Sequence, residues 1–128
     1  MPRFEVFTGS ILIGYSELEL GDPPMGVAEG KFLPSPAYAA IQPSVVAARD
    51  SSQAHLTLAV RMTDGRELPA QGEIRIIDYS AELGAEEIQV EVLGIGYPLY
   101  EVLFPEHVAR YRSRFRKGQE GTTALGES

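Results

Sequence analysis

The sequence predicts an α+β fold that is β-rich: a mainly antiparallel bent sheet or small barrel of about six to eight strands, with one short helix and a C-terminal helix. Three observations predict it. Apolar and polar residues alternate in short runs through most of residues 4–104. Turn signals punctuate those runs at Gly9-Ser10, Pro23-Pro24, Asp64-Gly65 and Gly94-Ile95-Gly96. Helix-start signals stand out at Ser35-Pro36 and at Pro105.

Phe4 and Val6 lead into Gly9-Ser10, and Ile13 and Tyr15 leave it. A two-residue turn with Gly first is the type II′ hairpin signal. It predicts Val6 opposite Ile13 and Phe4 opposite Tyr15, all on one face. The second strand is expected to continue through Leu18 and Leu20 and to stop at Gly21-Asp22-Pro23-Pro24. Proline lacks the ladder donor and forces its predecessor to be extended. Val27 to Leu33 resumes as a strand. Ser35 then caps a helix with Pro36 at its first position. Pro43 is expected to close that helix, leaving it near residues 36–42 with Tyr38 and Ile41 inward. Residues 44–53 read either as a further helical turn or as a connection.

Leu56, Leu58, Val60 and Met62 alternate with His55, Thr57, Ala59 and Arg61, the pattern of a half-buried strand. A loop of Asp64-Gly65-Arg66 with a bulge at Gly65 puts Met62 opposite Leu68 and Val60 opposite Ala70. Ile74 and Ile76 share one face of the next strand, while Ile77 and Tyr79 fall on the other. Either both faces are buried or a bulge shifts the register. Ile88, Val90 and Val92 alternate with Glu87, Gln89 and Glu91, and the connection 80–85 is short enough to pair the two strands. Gly94 and Gly96 mark a bend. Pro98 to Phe104 reads as a last strand. Phe104, Val108, Tyr111 and Phe115 then recur at helical spacing. Pro105 suits the first position, Glu106 the positive end of the dipole and the arginines its negative end, which predicts a helix near 105–116. Residues 118–128 have little to bury and are expected to be a disordered tail behind a single globular domain, 1–117.

The chain has 128 residues, no Cys and a net charge of −7. No disulfide framework, thiolate metal site or cysteine nucleophile is available to it. The first residues carry no continuous apolar run, so no signal peptide is expected, and a cytoplasmic location fits. No apolar run approaches the roughly 18 residues of a membrane span. The charge is uneven. Residues 105–128 hold five basic residues against three carboxylates, so that end is +2 and residues 1–104 are −9. An acidic body opposes non-specific nucleic-acid binding.

Few residues offer chemistry. Glu17 and Glu19 would share one face of a strand, about 7 Å apart. Such a pair can do acid–base work or bind a hard cation, and it is also an ordinary solvated strand face. His55 and His107 belong to no short motif, so no metal site and no cofactor is expected. No serine lies in a nucleophile elbow, and Gly94-Ile95-Gly96 precedes Tyr97-Pro98 rather than a helix start. No catalytic residue is assigned. Arg110, Arg112, Arg114 and Arg116 are interleaved with Tyr111 and Phe115, which in a helix gives a charged face rather than a nucleic-acid site.

The loop Gly21-Asp22-Pro23-Pro24-Met25-Gly26 remains as the candidate binding surface. Adjacent prolines stiffen it, so it loses little entropy on binding, and Met25 is an adaptable apolar contact. The pattern Gly14-x-Ser16-x-Leu18-Glu19-x-x-Asp22-Pro-Pro-Met-Gly-Val-Ala28-x-Gly30-x-Phe32 resembles small bacterial proteins of uncharacterised function. The likeness covers this segment alone and implies no activity. The expected function is a non-catalytic interaction module: a small acidic cytosolic protein that binds another protein, with Asp22, Pro23, Pro24 and Met25 as its candidate surface; bacterial immunity-type inhibitors are an analogy in size and charge alone. The alternative is a small enzyme or ligand binder with a pocket near residues 17–30. A homodimer is a further expectation; nucleic acid and membrane are not expected partners.

Overall fold

A computed structural model describes residues 3–114. β1 (Phe4–Thr8) and β2 (Ile11–Ser16) form the first hairpin, with Thr8 opposite Ile11 and Gly9 at φ +57. The pairs expected beyond that turn are displaced. The register shifts between Val6 and Phe7, so Val6 faces Gly14 and Phe4 faces Ser16. Ile13 is the extra residue of the bulge and is fully buried. Tyr15 is thereby turned away from the core, where the Arg3 guanidinium lies 5.3 Å from its ring centre. The bulge also brings Gly14 beneath Phe32. A Cβ there would come within 2.6 Å of the Leu33 carbonyl oxygen.

β2 does not run on through Leu20. Leu18 takes φ +46, and its N–H donates to the Ser16 hydroxyl at 3.0 Å. The chain turns there into a second sheet through β3 (Leu20–Asp22), a 3₁₀ turn (Pro23–Met25) and β4 (Val27–Lys31). It returns to the first sheet at β5 (Leu33–Pro34). With β6 (Leu58–Arg61), β7 (Ile74–Asp78) and β8 (Ile88–Val92), the result is two four-stranded sheets, β5-β2-β1-β6 and β3-β4-β8-β7. All their strand pairs are antiparallel, and they do not close into a barrel.

α1 (Tyr38–Ala47) differs from the expected helix at both ends. The Ser35 hydroxyl donates to Leu12 O at 3.0 Å instead of capping, and the helix begins beyond Pro36. Pro43 lies inside the helix and does not close it. An interior proline costs about 3 kcal/mol. Tyr38, Val45 and Ala48 form one buried stripe, and the burial of that stripe offsets the cost.

After β6 the loop is Thr63-Asp64-Gly65. Met62 N–H donates to Arg66 O at 2.8 Å, and Leu68 N–H donates to Val60 O at 2.7 Å. Val60 therefore faces Leu68 rather than Ala70. The slip by two residues preserves the faces, and Val60, Met62 and Leu68 are all buried. β7 and β8 pair without a bulge from Ile74–Val92 to Asp78–Ile88, joined through the one-turn helix α2 (Ser80–Leu83). Ile76, Ile88, Val90 and Val92 are buried, and Ile77 is half-buried on the outer face.

Pro98 to Phe104 is not a strand. It forms α3 (Leu99–Leu103), which turns Tyr100 and Phe104 inward and leaves Val102 72% exposed. The final helix, α4, starts at residue 105 and continues to residue 114, the last described. Of the expected stripe, Phe104 and Val108 are buried while Tyr111 is 36% exposed, and His107 is buried as well. Phe115 and the expected tail lie outside the described residues. No helix among the described residues is long and apolar enough to cross a membrane. The two sheets, α1, α3 and α4 share one apolar core, with Phe4 stacked on Phe104 at 5.6 Å and Phe32 edge-on to Tyr38 at 5.0 Å.

The edge strand β7 is sealed by side chains. Gln53, 1% exposed, donates from Nε2 to Ile76 O and accepts the Ile76 N–H, both at 2.8 Å, as a neighbouring strand would. Arg49 donates to Asp78 O at 2.7 Å. Gln53→Leu keeps the volume and strips both bonds from Ile76. Its expected cost is about 2–4 kcal/mol, measured as a lowered urea midpoint. An unchanged midpoint would mean that water replaces the amide.

Candidate interaction surface

The Pro23–Met25 turn is presented by the β3–β4 hairpin. Asp22 is extended (φ −129), and prolines fill the opening positions of the 3₁₀ turn, where a missing N–H costs least. Gly26 ends it at φ +66 and donates to Pro23 O at 3.0 Å. A Cβ on Gly26 would lie 3.1 Å from the Ile95 nitrogen, because Ile95 N–H donates to Gly26 O at 2.9 Å. The Tyr97 hydroxyl donates to Pro23 O at 3.3 Å, and the Tyr100 hydroxyl to Val27 O at 2.7 Å. Tyr97 stacks on Tyr100 with ring centres 5.6 Å apart. The turn is thus tied on both flanks. Pro23 is buried in it, Asp22 and Pro24 are exposed, Met25 is 68% exposed and Tyr97 52%. Sequence reasoning placed Asp22, Pro23, Pro24 and Met25 here but missed Tyr97, which sits 74 residues from Pro23.

Glu17 and Glu19 flank the bend at Leu18 rather than lying along one strand face. Glu19 Oε2 accepts the Lys31 N–H at 2.8 Å, and the Glu19 carbonyl accepts from Arg110 at 3.1 Å. Glu17 is half-buried. His107 Nε2 bonds the Leu18 carbonyl at 2.8 Å, and Arg110 donates to His107 Nδ1 at 2.8 Å, so Nε2 carries the proton. The His107 ring stacks on Phe104 at 4.9 Å. His55 is exposed in a 3₁₀ turn, Ala54–Leu56. No group of three or more His, Asp or Glu among the described residues could hold a metal ion.

The strongest polar site is one that sequence reasoning missed. Asp78, 1% exposed, accepts from the Tyr38 hydroxyl at 2.5 Å and Gln42 Nε2 at 2.9 Å on one oxygen. Its other oxygen accepts from Ser80 Oγ at 2.6 Å and Ser80 N–H at 2.8 Å. Burial alone would raise its pKa, but the bonds from Ser80, Tyr38 and Gln42 outweigh it and hold the carboxyl below its ordinary range. Burial, then the bond to Asp78, pushes the Tyr38 phenol well up. The signal was available: strand parity puts Asp78 on the face of Ile74 and Ile76. A cleft of about 420 Å³ opens beside this cluster, between Pro34, Tyr38, Gln42, Ser80 and Ile88.

On the outer face of the second sheet Glu29 lies directly opposite Glu91, both half-buried. Gln89 Nε2 donates to Glu29 Oε1 at 3.1 Å. Burial, then the Glu29 charge, raises the Glu91 carboxyl, and Arg75 on β7 opposes this only in part. A folded-state value above the unfolded one stabilises most at low pH and loses that contribution as pH rises through the folded value. Glu91→Gln is therefore expected to raise the thermal midpoint at pH 7 and to change it little near pH 4. Equal midpoints at pH 7 would show that the pair is not strained. No protein-family model matches this chain, and neither a curated protein nor a solved structure does.

Proposed function

We propose that this chain is a non-catalytic interaction module, a small acidic cytosolic protein that binds another protein through the Pro23–Met25 turn and the Tyr97 ring beside it. One observation carries the reading. Met25 stands 68% exposed at the tip of a turn whose backbone is fixed by Pro23, Gly26, Ile95 and Tyr97. An exposed apolar side chain on a fixed backbone loses little entropy on binding, and Met and Tyr are enriched at interface centres. Asp22 flanks the tip as a polar rim.

A second reading, a ligand-binding protein, is favoured by the cleft beside Tyr38, Gln42 and Ser80. Those groups already bond Asp78 or one another, so a ligand would compete with the Asp78 network.

Affinity capture with matched variants tests the reading. Met25→Ala is expected to weaken retention of the captured protein about tenfold or more, as hot-spot truncations do, with an unchanged melt. Asp22→Ala is expected to act in the same direction. Capture that neither variant alters, or unfolding on either change, would make the turn structural.

A further inference from the structure

The outer face of the second sheet is covered by no other element among those described, and two of its features point to what it receives. The first is apolar. Leu20 is 53% exposed and Tyr79 39%, and with half-buried Ile77 they surround a saddle of about 250 Å³ floored by Gly30 and Ile88. The second is charge. One row of paired residues crosses the sheet as Leu20, Glu29, Glu91 and Arg75, and the next as Lys31, Gln89 and Ile77. The nearby cations are committed. Lys31 pairs with Glu86 at 3.0 Å and Arg49 with Glu82 at 2.9 Å. Arg75 pairs with Glu73 at 3.2 Å and also donates to Ser51 O and Arg49 O. No ion pair among the described residues reaches Glu29, Glu87 or Glu91. Like charges directly opposite in a sheet are destabilising. The face therefore holds an opposed anionic pair, which Arg75 beside Glu91 and the Gln89 amide on Glu29 compensate only in part, next to an apolar saddle.

We propose that this face docks a cationic segment of a partner protein, which places an aliphatic side chain in the saddle of Leu20, Ile77 and Tyr79 and a Lys or Arg beside Glu29 and Glu91. The proposal rests on the interaction reading for the class of partner and adds its charge. Charge complementarity selects the occupant: a cation relieves the Glu29–Glu91 repulsion, and an anionic partner would increase it. The surface is continuous with the turn, because Asp22 follows Leu20 on the same exposed side of β3. One partner can therefore span both.

A peptide of alternating lysine and leucine, titrated into the full chain and followed by amide chemical shifts, tests this. Shifts are expected at Leu20, Glu29, Ile77 and Glu91, and binding should weaken with added salt. The double variant Glu29→Gln, Glu91→Gln should raise the Kd about tenfold or more. Leu20→Ser, at an exposed position, should also raise it. Ile11→Ser, at an exposed position of the first sheet, should leave it unchanged. Equal binding of a glutamate–leucine peptide, undiminished binding by the double variant, or no binding of the lysine–leucine peptide would each overturn the proposal. Shifts confined to Met25 and Tyr97 would overturn it and leave the interaction reading standing.

Discussion

The bend at Leu18 is the constraint on which the rest of the structure depends. A β-branched or long side chain resists positive φ, and Leu18 is held at φ +46 by its surroundings. Ser16 takes its N–H, and His107 takes its carbonyl. The next residue is fixed as well, by Lys31 through its carboxylate and Arg110 through its carbonyl. Each such bond contributes about 0.5–1.5 kcal/mol, more where a charge takes part. Together they send β3 into the second sheet, anchor α4 across the crossing, and aim the Pro23–Met25 turn outward. Without the bend, β2 and β3 would be one strand and the two sheets would not separate.

A second constraint is the treatment of strand edges. Gln53 gives Ile76 the two bonds that a neighbouring strand would give, and Arg49 takes the Asp78 carbonyl. At the other side of this sheet, α4 reaches the residues just before β3 through His107 and Arg110. In the first sheet β5 is two residues long and ends in proline, while β6 meets Glu67 and Leu68. These are the devices by which β proteins discourage edge-to-edge pairing. They direct the interaction reading toward side-chain surfaces and away from a shared strand edge. Within the chain, α4 is held by contacts other than the acidic face of the second sheet. Arg110 bonds Glu19 and His107, and Arg112 pairs with Glu101 at 3.4 Å.

The buried polar groups explain why the polar chemistry visible here reads as structure. Asp78 is a carboxylate taken out of water, which is costly unless its oxygens are bonded. Four donors meet it, and three of them come from Tyr38, Gln42 and Ser80 side chains on two different helices. The carboxylate thereby fixes α1 and α2 to β7. Glu29 and Glu91 are the opposite case. They are half-buried and directly opposed, with Gln89 donating to Glu29 and Arg75 offsetting Glu91 only in part, and they sit on a face that no described element covers. Strain that is retained at a surface is a pointer to binding in a way that a satisfied core network is not.

The sequence by itself determined what depends on near neighbours. Alternation located the buried faces around Val60 and around Ile88, Val90 and Val92. Gly9-Ser10 located the first turn, Pro105 the start of α4, and the Pro-Pro-Met composition the candidate loop. What only the tertiary structure decided depends on residues far apart in the chain. The β2 bulge brings Gly14 beneath Phe32, a residue 18 positions further along the chain. α1 passes Pro43 because Val45 and Ala48 have a core to enter. Residues 99–103 are helical because Tyr100 and Phe104 must meet the core together, although so many apolar residues stand there that strand and helix periods look alike. Tyr97 joined the candidate surface, and Glu29 met Glu91, only once strands from opposite halves of the chain had paired. Local periodicity records which side of an element faces inward. It carries no information about which element lies across from it, and the bond from His107 to Leu18 spans 89 residues.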